Sequence, residues 1–292
     1  MTTIPIEHDR IMAHACDTPL AWQSSDALLY ALSIGLGADP MDLRELPFVY
    51  EKGQKVFPTF AVILGFHGGP LSDLAIDQRH LLHGEHGVVF HGPIPPEGRG
   101  TARGRMLGAW DKGEGRGAVF AEEKSLFADG VSTPFATVVT TAFGRAEGGF
   151  GGPRDGQPKL PEVPDRAPDD VVTLPTWPSQ ALFYRLCADR NPLHADPATA
   201  RAAGFERPIL HGLCTFALCA RAVLGRYGDL DPARLRAHAL RFSSPVYPGE
   251  EISVEMWREG TAVAFQARVA ARDSLVVRHG RSVVAEKDTP WN

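Results

Sequence analysis

The most apolar stretch of the chain runs from about Ile209 to Leu224, where Leu213, Phe216, Leu218, Cys219 and Val223 fall on every side of a helix. A helix apolar all round is buried, not laid on a surface. After it, over residues 253–285, alternating and β-branched residues broken by turn signals predict strands. A buried helix followed by several strands implies an α+β unit, with a sheet wrapped around the helix. The first half carries weaker versions of the same signals. A short helix is predicted over Asp26–Leu36, an apolar helical run follows Pro58, and residues 106–112 and 118–127 read as two strands around a glycine-rich turn. A short helix is also predicted over Gln180–Cys187. Each half is therefore expected to run in the order short helix, more apolar helix, strands last.

The two halves echo each other. SDALLYALS (25–33) aligns with SQALFYRLC (179–187), PTFAVIL (58–64) with PILHGLC (208–214), and FHGPIPP (90–96) with FSSPVYP (242–248), in the same order and at nearly one offset. The pattern points to duplication. Between the halves, Gly148 to Asp170 is rich in Gly, Pro and Asp and reads as a linker. The predicted units are 1–155 and 156–292.

With 292 residues, 43% hydrophobic and 22% charged, the chain has the composition of a globular protein. A net charge of −5 argues against general binding to nucleic acid or a membrane surface. No apolar run is long enough to span a bilayer. Cys16, Cys187, Cys214 and Cys219 form no CxxC pair and read as thiols of a reducing compartment. The polar start and an end without a peroxisomal tripeptide agree with a cytoplasmic expectation.

The chemistry concentrates in YRLCADRNPLHADPATARAAGFERPILHGLCT (184–215). Adding water to an enoyl thioester requires a base for the water, an acid for the α-carbon and a donor for the developing oxyanion. Asp189 and His194 can hold a water between them and divide the acid and base roles, and Asn191 can orient a neighbour. Pro192 keeps the segment from becoming a regular helix. Gly212 falls in the first turn of the buried helix, where a backbone N–H lacks an intrahelical partner. Each residue has an ordinary structural use when taken singly. Asp and Asn cap and turn, Asp196-Pro197 reads as a helix start, and His211 reads as a core histidine or as a group behind the site residues, the structural use being favoured. The combination favours chemistry. Other signals are weaker. The run His80, His83, His86, His91 fits no zinc spacing, so no metal is expected. Asp189 and Asn191 could begin a calcium loop, but its sixth position, which requires glycine, is His194. GEGRGA (113–118) reads as a hairpin turn, and no GxSxG elbow is present.

DxNPxHxDP followed by GFxxPILHGLCT resembles the signature of the MaoC-like (R)-specific enoyl-CoA hydratases, or hydratase 2, in their double-hotdog form. The likeness extends through SDALLYALSIGLG, PTFAVI, LLHGE, WDKGEG and GGFGG in the first half and RFSSPVYPGE in the second. The resemblance implies two hotdog units joined into one continuous antiparallel sheet, each sheet wrapped around a central helix. The second unit would be catalytic, and the first would accommodate the acyl chain. It implies that Asp189 and His194 act on water, with Asn191 beside them, and that Gly212 is the oxyanion donor. Substrate contacts would fall on His83, Gly84, Lys112, Arg190, Pro192, Leu193 and Phe242. Lys112 would meet CoA phosphate as a point charge. The implied reaction is reversible (3R)-specific hydration of a 2-enoyl-CoA by a homodimer, with no cofactor beyond the CoA of the substrate. Alternatives on the same scaffold are an acyl-ACP dehydratase, a thioesterase and a non-catalytic acyl-CoA-binding module. Where the family carries Ser-Gly-Asp, this chain has Cys187-Ala188-Asp189, which narrows the local backbone options.

Overall fold

A computed structural model describes residues 4–77 and 81–291. In chain order the elements of the first half are α1 (His8–Ala13), β1 (Ala15–Trp22), α2 (Ser24–Ser33), α3 (Leu46–Val49), α4 (Phe60–Leu64), α5 (Pro70–Asp73), β2 (Leu81–Phe90), β3 (Gly98–Asp111), β4 (Ala118–Ala128) and β5 (Ala136–Gly144). Those of the second half are β6 (Asp170–Pro175), α6 (Gln180–Tyr184), α7 (Pro197–Ala202), α8 (Gly212–Tyr227), β7 (Leu235–Phe242), β8 (Glu251–Glu259), β9 (Ala262–Val269) and β10 (Ser274–Val284). Residues 145–169, where a linker was expected, run as irregular chain.

All ten strands join one antiparallel sheet in the order β1-β3-β4-β5-β2-β7-β10-β9-β8-β6. Each half supplies five strands in mirrored order, so the duplication seen in sequence becomes a pseudo-twofold at the β2–β7 seam. There Glu85 lies opposite Arg241 and Val89 opposite Ala237. This is the double hotdog expected. The predicted element order needs one correction. β1 and β6 precede the predicted short helices, α2 and α6, and form the two sheet edges, so the strands do not all come last. Their short runs around a proline or between polar residues carried too little alternation to be read as strands.

The helix α8 is buried along most of its length and packs against β6, β7, β8 and β10. Its first-half counterpart departs from the expected symmetry. The run after Pro58 yields only the five-residue α4, which stops at Gly65. A buried ion pair on β4 holds this break. Lys124 Nζ lies 3.0 Å from Glu122 Oε1, with the two side chains 7% and 5% exposed. Lys124 also donates to the carbonyls of Gly65 (2.8 Å) and Gly68 (2.6 Å), and Glu122 accepts the Leu71 N–H at the start of α5 (2.9 Å). The cation thus meets carbonyls near the end of one helix, and the anion meets an N–H at the start of the next. Gly69, at φ 107°, has no room for a side chain, since a Cβ there would lie 2.2 Å from Lys124 Cε.

The halves also meet through their helices. The Tyr30 and Tyr184 rings are 6.0 Å apart, Gln180 Nε2 donates to the Ser33 carbonyl (3.0 Å), and Arg221 pairs with Glu45 (2.7 Å).

Candidate active site

After α6 the chain turns through Asp189–His194 by two nested side-chain turns. The Asn191 N–H donates to Asp189 Oδ1 (2.9 Å), and the Leu193 N–H donates to Asn191 Oδ1 (3.0 Å). Pro192 opens a 3-10 turn over Pro192–His194, where a missing N–H leaves no bond unmade. The turn drives the His194 ring inward, leaving its side chain 8% exposed beside an Asp189 side chain that is 24% exposed. Asn191 orients the loop through its backbone and its turn-forming oxygen. Its side chain makes no hydrogen bond to Asp189 or His194 among the described residues.

His194 Nδ1 lies 2.8 Å from the Ile209 carbonyl. A carbonyl only accepts, so Nδ1 carries the proton and Nε2 presents its lone pair. That lone pair lies 3.7 Å from Asp189 Oδ2. The gap is too wide for a direct hydrogen bond and suits a water that donates to both. Burial lowers the pKa of His194 below the ordinary imidazole value, against the opposing influence of the Ile209 carbonyl and Asp189. The neutral ring is therefore the resident form at neutral pH.

His211, read from the sequence as a core histidine or a group behind the site, contacts both members of the pair. Its ring stacks on His194 with centroids 3.7 Å apart and planes at 26°. Its Nε2–H donates to the backbone carbonyl of Asp189 at 3.0 Å. Burial, and then the neighbouring His194, push its pKa down to about 3. Its place in PILHG, one residue before Gly212, was the available sequence signal. Asp189, His194 and His211 hold ligand-capable atoms within 4.8 Å of one another.

Gly212 begins α8, and its N–H has no hydrogen-bond partner among the described residues. The Phe242 ring, at the end of β7, covers it so closely that a Cβ on Gly212 would lie 3.2 Å from Phe242 Cε1. His83, from β2 of the other half, meets Phe242 edge-on at 4.9 Å. Its Nε2 is 3.1 Å from His86 Nδ1, and burial brings its pKa down to about 4. The seam thus brings together three residues singled out far apart in sequence. Gly84 sits in the irregularity between His83 and Glu85, where β2 changes register against β5.

The remaining residues named as substrate contacts have partners within the chain or lie at its surface. Lys112 Nζ donates to the Arg154 carbonyl and Gln157 Oε1, both at 2.5 Å, so these two bonds tie the linker to β3. Arg190 is exposed, and its carbonyl accepts from Arg185 at 3.4 Å. Leu193 is half-buried in the turn. Of the histidine run, His91 bonds Thr137 (2.9 Å), and His80 lies outside the described residues.

Comparison with known proteins agrees with the double-hotdog fold. Residues 159–278 match the MaoC like domain, and residues 21–145 match the MFE-2 hydratase 2 N-terminal domain. Enoyl-CoA hydratase ChsH3 of Mycobacterium tuberculosis is 37% identical over 96% of this chain and 99% of its own. Peroxisomal enoyl-CoA hydratase 2 of Arabidopsis thaliana is 35% identical over 92% and 93%. The crystal structure of a MaoC-like dehydratase from Phytophthora capsici superposes with a TM-score of 0.85 at 31% identity, over 96% of this chain and 98% of that one.

Proposed function

The chain belongs to the MaoC-like hydratase 2 family, and from that membership we infer that it hydrates trans-2-enoyl-CoA reversibly to the (3R)-3-hydroxyacyl-CoA. The observation that carries the chemistry is the His194 lone pair facing Asp189 across 3.7 Å. In the proposed step a water lies between them. Its oxygen bonds C3 as one of its protons passes to the pair, and the pair delivers a proton to C2. Water is thereby added with no net proton gained or lost. Charge developing on the thioester oxygen is met by the Gly212 N–H at the positive end of α8. His83 and Phe242 wall the same place from the seam side, and His211 keeps the two catalytic groups in register.

The proposal extends to an acyl-accommodating unit over 1–155, a catalytic unit over 156–292, and a homodimer in the cytoplasm. No helix among the described residues is long and apolar enough to cross a membrane. Leu182, Phe183 and Leu186, 46–52% exposed around α6, offer apolar surface beside the catalytic loop. Light scattering on the purified protein tests the dimer.

The reaction is tested by the loss of enoyl-thioester absorbance with crotonyl-CoA, octenoyl-CoA and a branched enoyl-CoA, with product chirality read by stereospecific dehydrogenases. Loss of absorbance with formation of the 3R product is the expected result. Release of free CoA, or turnover confined to acyl-ACP, would replace this reading. The pH profile tests the base. Hydration needs the His194 lone pair, and that pair is lost only when pH falls through the lowered pKa. The acid limb of kcat/KM is therefore expected below the ordinary imidazole value of about 6.5. A limb above that value would exclude a neutral, buried His194 as the base.

A further inference from the structure

A second group of side chains converges at the outer edge of the sheet, away from the catalytic loop. His14 immediately precedes β1 and Cys16 lies within it. Two residues apart on extended chain, they share a face, and both are half-buried while Ala13, Ala15 and Asp17 are exposed. Asp73 ends α5, the helix that follows the break at Gly65, and so reaches His14 from 59 residues away. His14 Nε2 lies 3.0 Å from Asp73 Oδ2, and the Cys16 thiol lies beside the same group. One imidazole nitrogen, one sulfur and one carboxylate oxygen lie within 4.8 Å of one another.

We propose that His14, Cys16 and Asp73 form a binding site for a divalent cation of the zinc class. The donor set is the argument. A mixed nitrogen, sulfur and oxygen triad suits a borderline-soft cation, whereas magnesium and calcium take oxygen donors. The side chains of His14 and Asp73 are 15% and 20% exposed, which leaves one side open for a water as fourth ligand. The supports are rigid. Cys16 is paired with Gly104 of β3, the Asp73 carbonyl accepts the Ile4 N–H (2.8 Å), and Glu122 holds the start of α5 through Leu71 (2.9 Å). The nearby Glu122–Lys124 pair adds no net charge. Burial and the Asp73 charge raise the thiol pKa to about 11. A bound dication reverses that influence and displaces the thiol proton into solvent. The bound ion would clamp α1 and β1 to α5. The expectation of no metal weighed the histidine run and the Asp189–His194 loop and did not connect Asp73 with a strand so distant in sequence.

The probe is Co2+, titrated into the full chain after chelator treatment. One equivalent is expected to give a thiolate-to-cobalt charge-transfer band together with tetrahedral visible absorption. Cys16→Ser should abolish the band, and Asp73→Asn, which keeps the shape of the side chain, should weaken binding by at least about ten-fold. His194→Ala should leave the band intact, because the catalytic trio contains no thiol. Absence of a charge-transfer band would overturn the site and reduce the group to a hydrogen-bonded bracket. A band that survives Cys16→Ser, or that disappears in His194→Ala, would overturn it equally.

Discussion

Asp189→Asn and His194→Ala are each expected to lower kcat by at least about 10²-fold, the usual scale of lost acid–base catalysis. The asparagine can still accept the Asn191 N–H that holds Asp189 Oδ1 at 2.9 Å, so the loop should keep its shape. It cannot hold or return a proton as a carboxylate does. His194→Ala removes the lone pair and leaves the Ile209 carbonyl without the donor now 2.8 Å away. Both variants should retain most of their affinity for the acyl-CoA, the expectation for groups that act in the chemical step. The measurement is initial rate against crotonyl-CoA concentration, with circular dichroism to show that each variant is folded. Near-normal turnover in either folded variant would remove the pair from the mechanism.

Lys124→Met should destabilise the fold by about 3–5 kcal/mol, the cost of stranding a buried charge by deleting its partner. Glu122, 5% exposed, would lose its counter-ion at 3.0 Å, and the Gly65 and Gly68 carbonyls would lose their donor. The double variant Glu122→Gln/Lys124→Met should recover part of the loss, because the amide stays neutral and still accepts the Leu71 N–H. Urea unfolding of wild type, Lys124→Met, Glu122→Gln and the double variant gives the coupling. Additive losses would mean that the pair does not act as a unit in holding the helix break.

The contrast between these two sites shows what the sequence could disclose. The turn at Asp189–His194 was legible because Asp189, Asn191, Pro192 and His194 lie within six residues and turn on one another. The long helix, the hairpin at 113–118 and the irregular linker were legible for the same local reason. The break after α4 was not, because Pro58–Leu64 is as apolar as its second-half counterpart. What stops the helix is Lys124, which reaches Gly65 from 59 residues away. The stacking of His211 on His194 depends on where α8 begins, and the Lys112 bonds to Arg154 and Gln157 form only once the linker has folded back, so spacing alone showed neither contact. Long-range polar contacts leave little trace in periodicity.

The β2–β7 seam bears on how such a chain can be divided. A second half cut free in the linker would keep Asp189, His194 and Gly212 yet bare the β7 backbone now paired over Ala237–Arg241. An open row of N–H and C=O groups is adhesive. The nearest substitute for the missing strand is the same strand of another copy, met antiparallel about the axis that now relates the halves. Solubility thus binds each half to its companion, and a severed second half is driven toward self-association.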